Sequence, residues 1–192
     1  MVTDIESLQD RSLNGTEWEK EDLFAILRWD EDDLDTLIDG AYEVRKEHFD
    51  KDIRLKFLMN AKSGLCPEDC NYCSQSKDAD SEIEKYSWRS KEELLEGAEE
   101  AAQMDSSRYC IVASGRGPSD QEITFLEEAI PEIKEKYDLE LCLSLGLLTE
   151  EHAFRLADAG VDIINHNLNT SPDYYEEICS THTFEDRVDT LE

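Results

Sequence analysis

Ile53-Arg54-Leu55-Lys56-Phe57-Leu58-Met59 runs, a few residues later, into Cys66-Pro67-Glu68-Asp69-Cys70-Asn71-Tyr72-Cys73. The first stretch reads as a β-strand and the second as the loop that follows it. That succession decides the fold. The three cysteines have C-x3-C-x2-C spacing, one residue longer in the first gap than a common zinc knuckle. Pro67, Glu68 and Asp69 favour turns and let the loop curl. Such a loop can wrap three corners of a cubane iron–sulfur cluster, where a closed cluster takes four thiolates. One iron is then left open to a substrate or cofactor. A structural zinc site is the plainer alternative, but zinc wants four ligands. No fourth is near in sequence, since the nearest upstream histidine is His48, before the strand.

Downstream, the strand–loop–helix pattern repeats. Ser90-x-x-Glu93 is a capping box for a helix to about Gln103, and Ser119-x-x-Glu122 is another for a helix to about Lys136. Tyr109–Ala113, Leu139–Ser144 and Val161–Asn165 read as strands. Thr149–Ala159 reads as a helix stopped by Gly160, Ser171-Pro172 opens a short helix, and Thr183–Glu192 begins another. Strands alternating with helices predict a parallel sheet in the α/β class. The spacing, near 30 residues per unit, fits a TIM-type (β/α) barrel. Only about four βα units are present, whereas a whole barrel takes roughly 200 residues or more. The expectation is an N-terminal half of a barrel over 51–192, with a last strand whose edge awaits partners.

Upstream, 1–50 reads as an N-terminal helical extension. Thr16-x-x-Glu19 resembles a capping box ahead of Leu23, Phe24, Ile26 and Leu27. Leu34, Leu37, Ile38, Ala41 and Tyr42 recur at helical spacing.

The chain of 192 residues carries 48 acids against 19 bases, a net charge of -29. The acids are spread through core-forming sequence and do not form a tail, so the expectation is a folded protein with an acid-coated surface, as halophilic cytoplasm favours. Salt screens the self-repulsion of such a surface. The same charge argues against nucleic acid and anionic membranes as partners, which call for clustered Lys and Arg. Six cysteines suit three disulfides, yet Met1-Val2-Thr3-Asp4 opens no secretory signal and no apolar run spans a bilayer. A cytoplasmic chain keeps its thiols reduced, and clustered cysteines then bind metal.

Cys66, Cys70 and Cys73 follow the first strand at its C-terminal end, the face where β/α barrels carry their active sites. In Leu139-Glu140-Leu141-Cys142-Leu143-Ser144-Leu145 the leucines alternate, which turns Cys142 and Ser144 towards the barrel interior. Cys110 on the second strand can point the same way. Buried core cysteine is the plain reading of both, and a second metal site becomes credible beside the first loop. Cys179 fits no strand position and reads as a bystander. Asn165, Asn167 and Asn169 share one face in extended geometry and offer donors and acceptors to a ureido group or a ribose; an asparagine-rich turn is the alternative. Arg187, among Glu185, Asp186 and Asp189, reads as a surface ion pair. His166 reads as a packing or capping residue. Gly115 and Gly117 let backbone approach a ligand.

Together these residues resemble the biotin synthases, a family of radical S-adenosylmethionine enzymes. The matching segments are Met59–Leu65 leading into CPEDCNYCSQS, Tyr109–Pro118, Asn165–Pro172 and Thr181–Thr190. The resemblance runs from about Leu37 to the end. It implies that Cys66, Cys70 and Cys73 hold a 4Fe-4S cluster whose open iron is chelated by S-adenosylmethionine. It implies that a 5′-deoxyadenosyl radical takes hydrogens from dethiobiotin. Cys110 and Cys142 would help to hold a 2Fe-2S cluster that donates the sulfur. Tyr72 would sit against the adenine side of the cofactor, and Asn165 and Asn167 would meet dethiobiotin and the nucleoside. Asn167, Asn169 and Arg187 would complete the cofactor site, Arg187 near its carboxylate. An electron-donor protein of flavodoxin or ferredoxin type and a homodimeric full-length form are implied too. Many members carry Asp where this chain has Asn169, which replaces a charged ribose contact by a neutral one. The family's third cysteine and its arginine ligand to the 2Fe-2S cluster have no counterpart here, so the 192-residue chain by itself is expected to assemble the 4Fe-4S cluster at best poorly and to make no biotin. Two alternatives stay open: another radical enzyme of the superfamily, and a structural iron–sulfur or zinc-binding module. Iron with acid-labile sulfide favours an enzyme, and stoichiometric zinc the module.

Overall fold

In the computed structural model, which describes residues 4–192, the chain divides between Ile53 and Arg54 into two compact units. The first holds helices α1 (Ile5–Leu13), α2 (Lys20–Leu27) and α3 (Leu34–Phe49), with a 3₁₀ turn at Glu31–Asp33. α1 has no counterpart in the sequence expectations; only Leu8 of it is buried, too little for a periodic signal. It crosses α3 at Gly40, where a Cβ would stand 2.4 Å from Ile5 Cδ1. The capping box expected at Thr16 does not form. The Thr16 N–H is taken by the Arg11 carbonyl at 3.0 Å, as part of the turn that ends α1. α2 therefore starts after Glu19, which makes no side-chain cap bond. Leu23, Phe24 and Leu27, expected to pack, are exposed.

The second unit is built on a four-stranded parallel sheet in the order β1 (Lys56–Lys62), β2 (Arg108–Ala113), β3 (Glu140–Ser144), β4 (Ile163–Ile164). Between strands run α4 (Lys91–Gln103), α5 (Asp120–Lys136) and α6 (Glu150–Ala159), and after β4 come α7 (Tyr175–Ile178) and α8 (Phe184–Leu191). The capping boxes at Ser90 and Ser119 form as expected, with Glu93 and Glu122 bonding back to the cap backbone. Thr183 and Asp186 form a third. Gly160 ends α6 at φ 104°, a conformation in which a side chain would be strained.

Strand β1 begins three residues later than the apolar run suggests, because pairing starts at Lys56 opposite Arg108. Ile53 and Leu55 lie outside it, exposed. β4 is shorter than expected, since only Ile163 and Ile164 have ladder partners on β3. One sheet face presents Tyr109, Ile111, Leu141 and Leu143 to the helices. There they meet Leu94, Ala98, Ile123, Leu126, Ile130 and Leu156 in one buried core. The period of two leaves the opposite face to Lys56, Leu58 and Asn60, to Arg108, Cys110 and Val112, and to Glu140, Cys142 and Ser144. Cys110 and Cys142 stand directly opposite each other in register. A half-open sheet with helices on one face and chemistry-bearing residues on the other is a partial (β/α) barrel. No helix among the described residues is long and apolar enough to cross a membrane.

Candidate active site

The loops after all four strands meet around one cavity of about 250 Å³. β1 leaves the sheet through Gly64 and Leu65, at φ 61° and 56°. Two successive left-handed residues turn the chain sharply, so that Cys66, Cys70 and Cys73 all face the cavity. Ser114, after β2, donates its hydroxyl to the Gly64 carbonyl at 2.5 Å, and the Gly64 N–H is held by Gln75 Oε1 at 2.8 Å. The second and third loops touch through two glycines. A Cβ at Gly117 would lie 2.3 Å from the Leu147 carbonyl oxygen, and one at Gly146 2.3 Å from that of Arg116. The Leu147 N–H donates to the Arg116 carbonyl at 2.7 Å across the same gap.

The far wall of the cysteine loop is the segment before α8. Asn71 donates its N–H to the Ile178 carbonyl at 2.9 Å and its side-chain amide to that of Glu177 at 3.2 Å. Asp69 accepts from the Ser180 hydroxyl, from the Ser180 N–H at 2.9 Å and from the Thr181 N–H at 3.3 Å. Those bonds, the Ser180 hydroxyl foremost, hold its carboxyl well below the usual carboxylate range.

Glu68, a turn former in the sequence reading, is buried, with 5% exposure. Its Oε2 accepts from Thr181 Oγ1 at 2.8 Å, lies 2.5 Å from His182 Nδ1 and is 3.5 Å from Arg116 Nη1. His182 accepts at Nε2 from Arg187 Nη2 at 2.9 Å and from Arg187 Nε at 3.1 Å. Arg187 Nη1 donates to the Asn167 carbonyl at 2.9 Å, and Nε also reaches the Tyr175 hydroxyl at 2.5 Å. The surface ion pair expected for Arg187 is thus absent: α8 turns the guanidinium inwards, away from Glu185 and Asp189. The Asn169 amide is oriented by its neighbours; its oxygen accepts from Arg187 Nε and Nη2 at 3.3 and 3.2 Å and from the Tyr72 hydroxyl. Asn165, Asn167 and Asn169 all line the cavity, as does Tyr72. Strict alternation fails at Asn169, whose φ is 70°. His166 lines the cavity as well, with Nε2 buried and without a hydrogen-bond partner.

Cys179 is not a bystander. Its sulfur lies 3.7 Å from Cys70 Sγ and 3.2 Å from His182 Nδ1, all three groups being buried. Burial, with Cys179 adjacent, pushes the Cys70 thiol up to about 12, and burial raises that of Cys66. Burial likewise raises the Tyr72 phenol. Cys142 is pushed up to about 11 by burial and then by Cys110 beside it. Cys110 and Cys142 lie one pleat deeper than Val112 and Ser144, which line the cavity on the same sheet face. Cys179 and His182 stand at C-x2-H spacing, a local pair the sequence reading passed over, while their contacts with Cys70 and Glu68 span more than a hundred residues.

The donor set suits an iron–sulfur cluster. Three soft thiols face one cavity. Among the described residues only Cys70, Cys179 and His182 form a set of three ligands close enough together for a single ion, and Cys66 and Cys73 are not part of it. Three cavity-facing thiols on the loop after the first strand of a partial (β/α) barrel place the chain among proteins built to hold an iron–sulfur cluster at the mouth of that fold. The profile of the Radical SAM superfamily matches residues 62–192, and the chain belongs to that superfamily.

Among curated relatives, it is 50% identical over 185 residues to a biotin synthase of Lysinibacillus sphaericus, covering 96% of this chain and 56% of that protein. It is 49% identical over 180 residues to that of Bacillus cytotoxicus, covering 94% and 54%, and 47% identical over 186 to that of Rhodopirellula baltica, covering 97% and 52%. The chain spans about half the length of the curated relatives it matches. Among solved structures, methylornithine synthase (PylB) matches with a TM-score of 0.81 at 20% identity, over 96% of this chain and 54% of that one. The FeFe-hydrogenase maturase HydG from Carboxydothermus hydrogenoformans matches at 0.77 and 22%, over 97% and 44%. At those identities the likeness is one of fold.

Proposed function

We propose that this chain forms the cluster- and cofactor-binding part of a biotin synthase, which inserts sulfur into dethiobiotin. The observation that carries the reading is the pair Cys110 and Cys142. They stand opposite each other one pleat below a cavity that already holds three thiols. A second pair of thiols beneath that cavity is what an inner sulfur-donating cluster would use. The level of identity to curated biotin synthases supports the same reading.

In this reading Cys66, Cys70 and Cys73 hold a 4Fe-4S cluster, and Cys110 and Cys142 contribute to a 2Fe-2S cluster. With S-adenosylmethionine bound, the first cluster supplies a radical able to attack unactivated carbon, chemistry beyond acid–base side chains. The chain's own residues bind and orient. Arg187, held by His182 and the Asn167 carbonyl, offers a fixed fork to a carboxylate. Tyr72 and Asn169, bonded to each other, close the cavity rim on the adenosyl side. Asn165 and Asn167 present amides to the substrate and the nucleoside. The sheet's inner face and the touching second and third loops form one wall around the centre. A flavodoxin- or ferredoxin-type reductant, a dimer, a cytoplasmic location and a salt-adapted surface belong to the same proposal.

The test is anaerobic reconstitution with iron and sulfide. The reading expects four irons and four sulfides bound through Cys66, Cys70 and Cys73, and reductive cleavage of S-adenosylmethionine to 5′-deoxyadenosine. In a protein of the relatives' full length, where the remaining ligands would be supplied, it also expects a change in the spectrum of a second cluster when Cys110 or Cys142 is replaced by Ala. Cluster assembly indifferent to Cys66→Ala, or zinc in place of iron at these three thiols, would refute it.

A further inference from the structure

Cys70, Cys179 and His182 form a second, smaller ligand set inside the first. Their ligand atoms all lie within 4.8 Å of one another, and all three residues are buried. Two thiolates on a tetrahedral zinc, with bonds of about 2.3 Å, stand about 3.8 Å apart, and a thiolate and an imidazole nitrogen about 3.5 Å. The sulfurs of Cys70 and Cys179 are 3.7 Å apart, and Cys179 Sγ is 3.2 Å from His182 Nδ1. The spacing is that of one ion and is too tight for two corners of a cubane.

The surroundings place Nδ1 of the imidazole beside the Cys179 sulfur. Arg187 donates to Nε2 twice, which assigns that nitrogen as the acceptor and leaves Nδ1 pointing at Cys179 and at Glu68. A histidine ligand usually donates its other N–H to an outer partner, so ligation through Nδ1 requires the ring proton to pass to Nε2 and Arg187 to turn away from it. Glu68 is in turn held by Thr181 and Arg116, and the Cys179 backbone by its bond to the Tyr175 carbonyl at 3.0 Å.

We propose that, in the cluster-free protein, Cys70, Cys179 and His182 bind one soft divalent transition ion, zinc above all, with water as the fourth ligand. Binding displaces the thiol protons of Cys70 and Cys179 to solvent, and the His182 proton moves from Nδ1 to Nε2 as Arg187 releases that nitrogen, with no electron transferred. Cys70 cannot serve this ion and the cluster together, so the two occupants exclude each other. The exclusion rests on the cluster reading above; the ion site itself does not. Its consequence is a cluster loop held shut by zinc until iron and sulfide displace it.

Cobalt is the probe. The full 192-residue chain, reduced and free of iron, is titrated with cobalt(II) and then with zinc(II). The expected result is one cobalt per chain with the intense visible bands of a tetrahedral thiolate site, bleached by zinc. Cys179→Ala and His182→Gln are expected to weaken cobalt by more than the roughly 10–100-fold that losing an outer-shell partner costs. Cys66→Ala and Cys73→Ala leave it unchanged. Circular dichroism and urea midpoints on each variant separate ligand loss from unfolding, and Cys179→Ser serves if the alanine variant fails to fold. Zinc-loaded protein is expected to take up iron and sulfide at least several-fold more slowly, a delay absent in Cys179→Ala. Cobalt binding indifferent to Cys179 and His182, or lost with Cys66, would overturn the site. Cobalt binding as expected, with cluster assembly indifferent to Cys70, would leave the ion site standing and overturn the cluster reading instead.

Discussion

Replacing Glu122 by Gln tests how the cysteine loop is anchored. Glu122 is the third residue of α5, and its carboxylate reaches beyond its own cap. Oε1 pairs with Lys62 Nζ at 2.7 Å, at the end of β1 where the chain enters the cysteine loop, and accepts from Trp88 Nε1. Oε2 accepts from the Ser119 N–H at 2.7 Å. The side chain is 19% exposed. Burial by itself would raise the carboxyl; Lys62, the Ser119 backbone and Trp88 outweigh it and bring the pKa from 4.5 to about 2. At about 1.4 kcal/mol per pH unit, that lowering corresponds to about 3 kcal/mol of stability at neutral pH. The sign follows from a folded pKa below the unfolded one. The contribution is fully present above pH 4.5 and is lost as pH falls from there towards 2. Glu122→Gln is therefore expected to cost about 3 kcal/mol at pH 7, and the gap from wild type to shrink steadily below pH 4.5. Urea denaturation of both proteins by circular dichroism, in one fixed high salt, reads the difference and cancels the changing net charge. A gap below about 1 kcal/mol at pH 7, the worth of an exposed pair, or a gap as large at pH 3 as at pH 7, would refute the reasoning.

Raising KCl from 0.1 to 2 M should raise the thermal midpoint, because a net charge of -29 repels itself and the Debye length falls from about 10 Å at 0.1 M to about 3 Å at 1 M; a flat salt profile in calorimetry would sink the acid-coated-surface reading. Gly117→Ala places a Cβ against the Leu147 carbonyl and is expected to cost 1–3 kcal/mol or so in urea unfolding and to impair iron loading, whereas a neutral result would mean that the two loops part freely. Arg187→Lys keeps the charge and loses the fork, so calorimetric titration of S-adenosylmethionine into cluster-loaded protein should show affinity roughly tenfold lower, in keeping with about 1.5–3 kcal/mol per charged hydrogen bond. Unchanged affinity would remove Arg187 from the cofactor site.

Where the sequence was legible, the cause was local. The boxes Ser90–Glu93 and Ser119–Glu122 and the stop at Gly160 are decided by neighbours within one turn, and they stand where the residues placed them. The alternation around Cys142 settled which sheet face each residue takes, because a strand has a period of two. The C-x3-C-x2-C run announced three thiols on one loop, since eight residues cannot scatter them. Thr16 was misread because a cap pattern is a competition, and the end of α1 claimed its N–H first.

What the chain could not disclose by itself lies in contacts between distant loops. Glu68 reads as a turn former until Thr181 and His182 arrive against it, and Arg187 reads as a surface charge until α8 turns it onto His182 and Asn167. Cys179 carries only a weak signal in one dimension, its C-x2-H spacing to His182. Its meaning comes from a sulfur 3.7 Å away and 109 residues back along the chain. Sequence determines which groups can ionise, ligate or cap, because those are properties of residues and near neighbours. Only the closing of four loops over one sheet decided which of them share a cavity, because that depends on packing the whole unit brings about at once.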